Sequence, residues 1–501
     1  MRRPASLPLP LLLAAALLAG SAHARQGEPP WALAHPGSVG HELPLQEVPG
    51  LDARALQKAA DAAQREGAHT KRQQVALQRP VSIRLAEAAR RDRLPDGTTL
   101  WRMQVRAAGA TDLRLGFGRY ALPAGAELHL VGADGYYQGP YTAADAFDGQ
   151  FQAPVVPGDT VTISVRVPAG EELTPEALEL DRVGAGFRDL FGRSRAGSTG
   201  PGTSGACNIN VVCPLGQPYA DESRAVGYYE YRAADDGQYY ICSGTLLADV
   251  PRTQRNWFLT AAHCIASDSE ARSIVVYWNY RSTQCARLAA PPGGWFGDDQ
   301  HGASLRATSH DPDVTLLELG GRVDPDWNLY YAGWDASGTR PAGSIGLHHP
   351  SGDAQKVTAG PAPATIDSCI AATAMRNTHW RTGPYREGTT EGGSSGSGLF
   401  VPADDGGGRA RRLIGTLSGG TAACSATSPT QPDNGVDCYG RFASAWNGSS
   451  AAARLRDWLD PGATGASGMD GYDPDDPLPV DGTGHSRHAL PPILRRPHAR
   501  R

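Results

Sequence analysis

Residues 391–398 read Glu-Gly-Gly-Ser-Ser-Gly-Ser-Gly, and the rest of the sequence is interpreted outward from this stretch. Ser395 within it is a candidate nucleophile, which needs a nearby base and hydrogen-bond donors for the oxyanion formed after attack. Because glycine lacks a Cβ atom, the backbone here can turn sharply and point the amides of Gly393 and Ser395 at one spot. Glycine and serine runs are also typical of flexible linkers, so a base must be found elsewhere.

The length and charge of the chain set the first limits. A chain of 501 residues is long enough for two or three domains with sizeable cores. Its formal net charge of -5 at pH 7 is small, which gives no support for nucleic-acid binding or for a basic membrane-binding surface. We expect neither nucleic acid nor membrane as a partner of the mature chain.

The N-terminus has the pattern of a secretory signal at residues 1–24. Arg2-Arg3 supplies a charged start, Leu7–Leu18 an apolar run, and Ala22-His23-Ala24 a small-x-small end. A membrane anchor is the alternative, but two prolines interrupt a run already too short to span a bilayer. We therefore expect a protein secreted by way of the periplasm.

All eight cysteines lie between Cys207 and Cys438. An even number in an exported chain predicts disulfide bonds. The sequence contains no compact Cys-x-x-Cys or His-x-x-x-His pair, and the adjacent His348 and His349 would face opposite sides of a strand. We expect no metal site.

Residues 25–201 are expected to form a propeptide. Leu51–Arg65 has the pattern of an amphipathic helix, and after Pro80 a hydrophobic period of two predicts a small β-rich domain. The clearest strands are Leu100–Arg106, Glu127–Val131 and Thr160–Val167. Residues 187–205 are rich in glycine, serine and arginine, as an exposed, cleavable linker is. An ordinary N-terminal accessory domain is the alternative.

From residue 207 to about 461 short strands alternate with turns, and a terminal segment that Ser450 can cap is predicted to be helical. An all-β body of this size indicates two packed barrels or a sandwich. The tail, residues 471–501, is rich in Pro, Asp, Arg and His, and we expect it to be disordered. The predicted strands are Tyr239–Leu247, Asn256–Ala262, Ser273–Tyr280, Val314–Leu319, Ser344–His348 and Arg412–Leu417.

A base for Ser395 is found where an apolar strand, residues 257–264, ends in a turn that bears His263. Asp313 stands at the start of another apolar strand, where a carboxylate would be partly desolvated. Such a carboxylate can fix the tautomer of an imidazole and stabilise its charged form. Asp311 competes for this role, but a proline separates it from the strand, so we favour Asp313.

The candidate base, carboxylate and nucleophile stand in the order and approximate spacing of the two-barrel chymotrypsin-fold proteases. Thr260-Ala-Ala-His-Cys264 and Gly393-Ser-Ser-Gly-Ser397 are similar to the histidine and serine signatures of that fold. From about residue 202 to 471 the chain resembles, more specifically, the secreted bacterial lysyl endopeptidases. Further matching segments are Cys207-Asn-Ile-Asn-Val-Val-Cys213, Ile274-Val-Val-Tyr-Trp-Asn-Tyr280, Asp313-Val-Thr-Leu-Leu-Glu-Leu319, Ala332-Gly-Trp-Asp335, His348-His-Pro350 and Asp457-Trp-Leu-Asp-Pro461.

The resemblance implies a monomeric, secreted serine endopeptidase, residues 202–470, that needs no cofactor. It would cut protein or peptide chains after basic residues, Lys preferred over Arg, through an acyl-enzyme. At the matching positions it implies His263 as base, Asp313 as its orienter, Ser395 as nucleophile and Asp437 at the base of the substrate pocket. The chain's own propeptide is a second expected partner, as folding aid or inhibitor.

The resemblance also implies that Ser418, Gly419 and Gly420 bind substrate, although relatives tend to carry an aromatic or imidazole side chain at the first of these positions. Ser394 is another departure, because the well-known animal members carry an aspartate there that pairs with a new N-terminus. Activation should therefore use propeptide removal by another route. The implied disulfides are Cys207–Cys424, Cys213–Cys285 and Cys242–Cys264, with Cys369 and Cys438 as an extra pair.

Two other classes of function remain open. A secreted binding protein on a degenerate protease fold would normally lack one of the three catalytic residues, and none is missing. An esterase-type serine hydrolase would prefer a Gly-x-Ser-x-Gly elbow with its histidine after the serine, whereas His263 precedes Ser395. We predict an all-β, two-barrel chymotrypsin-like protease domain with a C-terminal helix, preceded by a small β-rich prodomain.

Overall fold

The computed structural model describes residues 27–40, 42–66, 70–191, 204–285, 298–368 and 376–475. The predicted signal at residues 1–24 lies outside this range, as do most of the predicted linker and most of the predicted tail. Within the described residues, no helix has the length and apolar character needed to cross a membrane. The same residues contain no cluster of three His, Cys, Asp or Glu side chains placed to hold a metal ion.

The N-terminal part is a β-sandwich, which confirms the predicted β-rich domain; it is called the prodomain below, and its removal as a propeptide stays a prediction. One sheet has the order β1-β4-β10-β6-β7 with β3 beside β4, and β2, β11, β5, β8 and β9 belong to a second sheet. Side chains that alternate along the strands meet between the sheets, where Val105 and Ile163 of one sheet and Leu115 and Val183 of the other are buried. The elements are α1 (Trp31–Ala34), β1 (Leu45–Val48), α2 (Ala53–Glu66), β2 (Gln73–Arg84), α3 (Leu85–Ala88), β3 (Arg90–Arg93), β4 (Thr99–Ala107), β5 (Asp112–Tyr120), β6 (Glu127–Gly132), β7 (Tyr137–Tyr141), β8 (Phe151–Gln152), β9 (Val156–Pro157), β10 (Thr160–Val167) and β11 (Leu178–Gly186).

The first barrel of the C-terminal part is built from antiparallel neighbours in the order β17-β16-β13-β14-β15-β19-β18. Its core includes Leu246, Phe258 and Leu316, each fully buried. The predicted strands at 239–247 and 314–319 have the bounds expected from the sequence. The elements are β12 (Ile209–Asn210), α4 (Ala220–Ser223), β13 (Val226–Arg232), β14 (Tyr239–Leu247), β15 (Trp257–Thr260), α5 (Asp268–Arg272), β16 (Val275–Tyr277), β17 (Asp299–His301), β18 (Ala303–Ser309) and β19 (Val314–Leu319), with β12 paired in the second barrel.

The second barrel has the order β12-β22-β21-β25-β26-β27-β24-β23, with β20 and β28 at its side. Leu347 and Phe400 bury their side chains in the same core as the first barrel, so the two barrels pack on each other. The catalytic candidates therefore have a rigid all-β scaffold on both sides. The remaining elements are β20 (Trp334–Asp335), β21 (Gly343–His348), β22 (Lys356–Pro361), β23 (Ala364–Ile366), β24 (His379–Thr382), β25 (Gly398–Phe400), β26 (Leu413–Gly420), β27 (Asp437–Arg441), α6 (Phe442–Asn447), α7 (Arg456–Leu459) and β28 (Gly468–Met469).

The C-terminal helix is shorter than the sequence indicated. Ser450 makes no side-chain cap; it precedes a separate 3-10 turn, Ala451–Ala453, after which Arg454 is extended. The α-helix proper is α7, which is anchored because Leu455 and Leu459 are buried in the core. Tertiary packing of these two leucines therefore decides the helix more than a local cap does.

The described domain continues beyond residue 470. Tyr472 stacks on Tyr331 with 5.1 Å between ring centroids, and Asp473 accepts a 2.7 Å hydrogen bond from Arg224. The first residues of the predicted tail thus belong to the packed structure, because an aromatic ring and a carboxylate find partners on the barrel.

A single strand, β2, joins the prodomain to the first barrel. It pairs with β11 of the prodomain on one edge and with the start of β14 on the other. Val75 and Ala76 of β2 are buried together with Tyr239 and Ile241 of β14. The two parts therefore share one continuous sheet and an apolar contact.

A buried ion pair crosses the same interface. Arg114 of β5 donates to both carboxylate oxygens of Glu230 in β13, at 2.5 and 3.0 Å, and also bonds to Asp112. Burial raises the pKa of Asp112 to about 6, against the opposing charge of Arg114. Removal of one partner of such a pair leaves an uncompensated buried charge, so it is expected to weaken the contact between the prodomain and the barrel.

Candidate active site

The glycine- and serine-rich stretch forms a tight loop that leads into β25. Gly393 and Gly396 have φ angles of +91° and +80°, the left-handed region that favours glycine. A Cβ atom at Gly396 would also lie 2.1 Å from Oγ1 of Thr260. Glycine at this position therefore lets the loop lie directly against the strand that carries the histidine.

His263, Asp313 and Ser395 are brought together as the sequence predicted. Nε2 of His263 lies 2.7 Å from Oγ of Ser395, and Nδ1 lies 2.8 Å from Oδ2 of Asp313. The other carboxylate oxygen of Asp313 accepts a 2.8 Å hydrogen bond from the backbone amide of His263. Asp313 therefore holds His263 by its backbone amide and by Nδ1, while Nε2 of the imidazole faces the serine hydroxyl.

Asp313 lies deep beneath the histidine, at a positive φ of +55° just before β19. Burial raises the pKa of this carboxyl, but the charge and hydrogen bonds of His263, together with a hydrogen bond from Ser418, outweigh it and leave the pKa below its usual range. Ser418 also lies 3.2 Å from Nε2 of the buried His379. The structure thus places the Ser418 hydroxyl behind the histidine and aspartate, and its predicted contact with substrate stays a prediction.

The side chain of Lys71 from the prodomain is buried against Asp437, and we call the group of side chains and carbonyls around its ammonium the pocket. Nζ of Lys71 donates to Oδ1 of Asp437 at 2.8 Å, to Oγ1 and the carbonyl of Thr390 at 2.5 and 3.1 Å, and to the carbonyl of Ala422 at 2.9 Å. Oδ2 of Asp437 accepts hydrogen bonds from Thr390 at 2.6 Å and from Tyr385 at 2.9 Å. The base of the pocket is therefore lined by acceptors that converge on one cation.

The backbone around Lys71 is bound as well. Its carbonyl oxygen accepts a 2.5 Å hydrogen bond from the amide of Gly393, one of the two predicted oxyanion donors. The preceding residue, Thr70, forms an antiparallel bridge with Gly419. A side chain at Gly420 would point at the pocket, since its Cβ would lie 2.5 Å from Oδ1 of Asp437. The role of the Ser395 amide as the second donor stays a prediction.

Comparison with known proteins places this chain in a family. A family model described as lysyl endopeptidase, C-terminal domain, matches residues 201–440, and one described as lysyl endopeptidase N-terminal domain matches residues 47–184. A curated lysyl endopeptidase from Pseudomonas aeruginosa is 31% identical over 365 residues, which cover 70% of this chain and 74% of that protein.

The chain belongs to the lysyl endopeptidase family. It is accordingly a serine endopeptidase, and peptides are its substrates.

Two solved protease structures are more distant. The HtrA-type protease AlgW with a tripeptide is 17% identical, with a TM-score of 0.31, and the match covers 46% of this chain and 60% of that one. The Rv3671c protease from M. tuberculosis in its active form is 12% identical, with a TM-score of 0.32, and the match covers 52% and 93% of the two chains.

Three of the four disulfides implied by the lysyl endopeptidase resemblance are present: Cys207–Cys424, Cys213–Cys285 and Cys242–Cys264. The last of these joins β14 to the turn that bears His263. The fourth predicted pair cannot be compared in this way, because Cys369 lies outside the described residues.

We expect Cys369 to be bonded to Cys438. The family resemblance implies this pair. In addition, Cys438 directly follows Asp437 in β27, so a disulfide there would hold the wall of the pocket in place. Peptide mapping without reduction should yield a linked pair of peptides that contain the two cysteines. Free thiols at both positions would contradict the assignment, and the Cys242–Cys264 pair serves as the internal positive control.

Glu391 and Ser394 fix the catalytic loop in place. The Glu391 carboxylate accepts hydrogen bonds of 2.9 Å from both the amide of Gly205 and the side chain of Asn208, and one of 2.7 Å from Ser351. The Ser394 hydroxyl lies 2.8 Å from Nδ1 of His348, a buried imidazole whose pKa burial lowers well below its usual range. The loop is therefore tied to the start of the protease domain by hydrogen bonds, with a serine where the animal relatives have an aspartate.

Sequence reasoning missed Lys71, Thr390 and Tyr385. Thr390 and Tyr385 show no motif of their own and reach Asp437 only through the fold, although Thr390 directly precedes the catalytic loop. The scarcity of lysine in the chain could have drawn attention to Lys71. The whole sequence contains three lysines, Lys58, Lys71 and Lys356, and the structure seats one of them in the pocket.

Proposed function

We propose that this member of the lysyl endopeptidase family hydrolyses peptide bonds after lysine through a His263–Asp313–Ser395 triad and an acyl-enzyme. One observation carries the proposal: a lysine side chain ends on Asp437 while the carbonyl of the same residue bonds to the amide of Gly393. A side chain in the specificity pocket and a carbonyl at the oxyanion donor are the two anchors that a substrate residue needs for attack.

In this mechanism Ser395 attacks the carbonyl carbon of the substrate residue, and Nε2 of His263 takes the hydroxyl proton. Asp313 holds the imidazole tautomer and stabilises the imidazolium. The Gly393 amide donates to the oxyanion, joined by the predicted donation from Ser395. His263 then protonates the leaving amine, and a water molecule hydrolyses the acyl-enzyme by the same route in reverse.

The pocket chemistry favours lysine over arginine. Because Thr390 and Tyr385 donate to Oδ2 of Asp437, a substrate meets the carboxylate mainly through Oδ1. A guanidinium binds a carboxylate best through two parallel hydrogen bonds, which this arrangement does not offer. A compact ammonium with three donors fits the converging oxygens of Asp437, Thr390 and Ala422.

The proposal also covers the export and maturation of the protein. We infer a signal at residues 1–24, a propeptide at 25–201 and a protease domain from 202 that acts outside the cell as a monomer. Three disulfides support an oxidising compartment, and the docked β-sandwich supports the role of a propeptide that blocks or assists the enzyme. The maturation cut is expected after Arg193 or Arg195 and then trimmed, because Pro201 directly precedes the start at Gly202.

Matched chromogenic peptides that end in Lys, Arg and Leu test the specificity. We expect the Lys peptide to be cut fastest, the Arg peptide more slowly, and the Leu peptide at least about 100-fold more slowly than Lys, since a neutral side chain leaves Asp437 unpaired. The readout is kcat/KM for each peptide. Equal rates for the Lys and Leu peptides would refute the lysine specificity. An enzyme that hydrolysed a short-chain ester but none of the peptides would instead be an esterase.

A further inference from the structure

The segment that crosses the active site is engaged on both sides of one peptide bond, Lys71–Arg72. On the N-terminal side lie the pocket contacts of Lys71 and the Thr70 bridge described above. On the C-terminal side Gln73 pairs with Ile241 and Gln74 with Tyr240, as β2 adds to the edge of β14.

Arg72, immediately after Lys71, is also held in place. Its guanidinium donates to Asp235 at 2.8 Å and lies over the ring of Tyr240, 4.4 Å from the centroid. Another hydrogen bond, of 3.5 Å, reaches the carbonyl of His263. The residue after the bond is therefore fixed beside the imidazole that would protonate its nitrogen.

The other two lysines have no comparable environment. Lys58 is exposed on α2, and Lys356 is buried against Asn210 and Asp353, at 2.6 and 3.1 Å. The chain thus presents one lysine, among three, to the pocket that we propose selects lysine.

We propose that the Lys71–Arg72 bond is a processing site that the enzyme cuts in its own prodomain, and that residues 70–76 block the active site until it is cut. This inference rests on the proposed lysine-specific function. It assigns the first substrate of the enzyme to its own chain, well inside the prodomain and far along the sequence from the junction near residue 201.

The chemistry follows the proposed mechanism. Oγ of Ser395 bonds to the carbonyl carbon of Lys71, its proton passes to Nε2 of His263, and the oxyanion is held by Gly393. The carbon–nitrogen bond breaks as the imidazolium gives its proton to the nitrogen of Arg72, which leaves an ester on Ser395. Water then attacks that ester with His263 as base, yielding a carboxylate at Lys71 and regenerating the serine hydroxyl.

The fold determines what happens to the two new ends. The new amino group at Arg72 heads β2, which stays paired with both β14 and β11. The new carboxylate end is connected to the barrel by Lys71 itself and by the Thr70 bridge. We therefore expect the cut to free the lysine pocket first, while the prodomain stays docked through β2 as a nicked complex.

The test uses the full secreted chain as wild type, Ser395→Ala, Lys71→Ala and Lys58→Ala, with intact mass and N-terminal sequencing as readouts. A chain that begins at Arg72 is expected in wild type and in Lys58→Ala, and is expected to be missing from Ser395→Ala and Lys71→Ala. A wild-type sample without that end, or a Ser395→Ala sample with it, would overturn the processing site. These two samples decide the question even if Lys71→Ala does not fold.

The blocking role has its own readout, the affinity of a fluorescent lysyl peptide for chains that carry Ser395→Ala and therefore stay uncut. The chain with Ser395→Ala and Lys71→Ala is expected to bind the peptide at least about tenfold more tightly than the chain with Ser395→Ala and Lys58→Ala, because its pocket is empty of lysine. Equal affinities would overturn the blocking role. The chromogenic Lys peptide is measured on the wild-type chain, so a failure of lysine specificity is distinguished from a failure of the processing site.

Discussion

Replacement of Ser395 by alanine is expected to reduce peptide hydrolysis by about a million-fold, which corresponds to the loss of a complete catalytic triad. In the proposed mechanism the Ser395 hydroxyl oxygen, which lies 2.7 Å from Nε2 of His263, forms the acyl bond, and alanine has no atom to replace it. The fold should be unchanged, because the side chain is small and the disulfides are elsewhere. Single-turnover and steady-state assays with a Lys peptide measure the loss, and far-ultraviolet circular dichroism measures the fold.

Ser397→Ala is the matched control for this experiment. Ser397 lies two residues further along the same loop, is equally buried, and its hydroxyl has no hydrogen-bond partner among the described residues. We expect it to retain near wild-type kcat/KM. If Ser395→Ala kept comparable activity, the proposed nucleophile would be wrong, and loss of folding in both variants would show a loop defect in place of a chemical one.

Replacement of Asp437 by asparagine is expected to lower kcat/KM for Lys and Arg peptides by about 100- to 1,000-fold, while the rate on a Leu peptide changes little. The carboxylate is fully buried, so a cationic substrate that loses it has no equivalent charge partner. The amide would also disturb Thr390 and Tyr385, which both donate to Oδ2 in the native pocket. The ratio of Lys to Leu cleavage is therefore the sharpest readout.

Asp404→Asn supplies the control, because this aspartate is exposed and is not among the residues that bond to Lys71 or Asp437. Its Lys to Leu ratio should match that of the wild type. An Asp437→Asn enzyme that still preferred Lys over Leu by 100-fold would remove Asp437 from the specificity role, and the search for the acceptor would then move to Thr390 and the carbonyl of Ala422.

Features with a local signal were predictable from the sequence. The strands at 239–247 and 314–319 follow from hydrophobic period and turn residues, and α2 starts where Asp52 accepts a 3.0 Å hydrogen bond from the amide of Ala55. The three catalytic candidates were found because each stands at the end of a recognisable strand or in a glycine-rich loop. Their order along the chain, histidine, aspartate and then serine, then favoured the chymotrypsin fold.

Features that depend on contacts between distant segments were not predictable. Lys71 meets Asp437 across 366 positions of sequence, and no spacing rule connects them. The position of the Ser418 hydroxyl between Asp313 and His379 was not predictable either, because it depends on two other segments of the chain, and its contact with substrate stays a prediction. The Ser450 cap failed for a related reason, since packing of Leu455 and Leu459 outweighs the local signal.

The strand β2 pairs with the first three residues of β14, Tyr239–Ile241, along one edge of that strand. If the prodomain is removed as proposed, the amides and carbonyls of these three residues become available to pair with another extended chain. A folded protein rarely exposes an extended segment that contains a lysine, whereas a loosened or denatured protein exposes such segments throughout its chain. On the proposed function, the mature enzyme would therefore cleave loosened or denatured chains faster than folded ones, so that the conformation of a substrate adds to the preference for lysine.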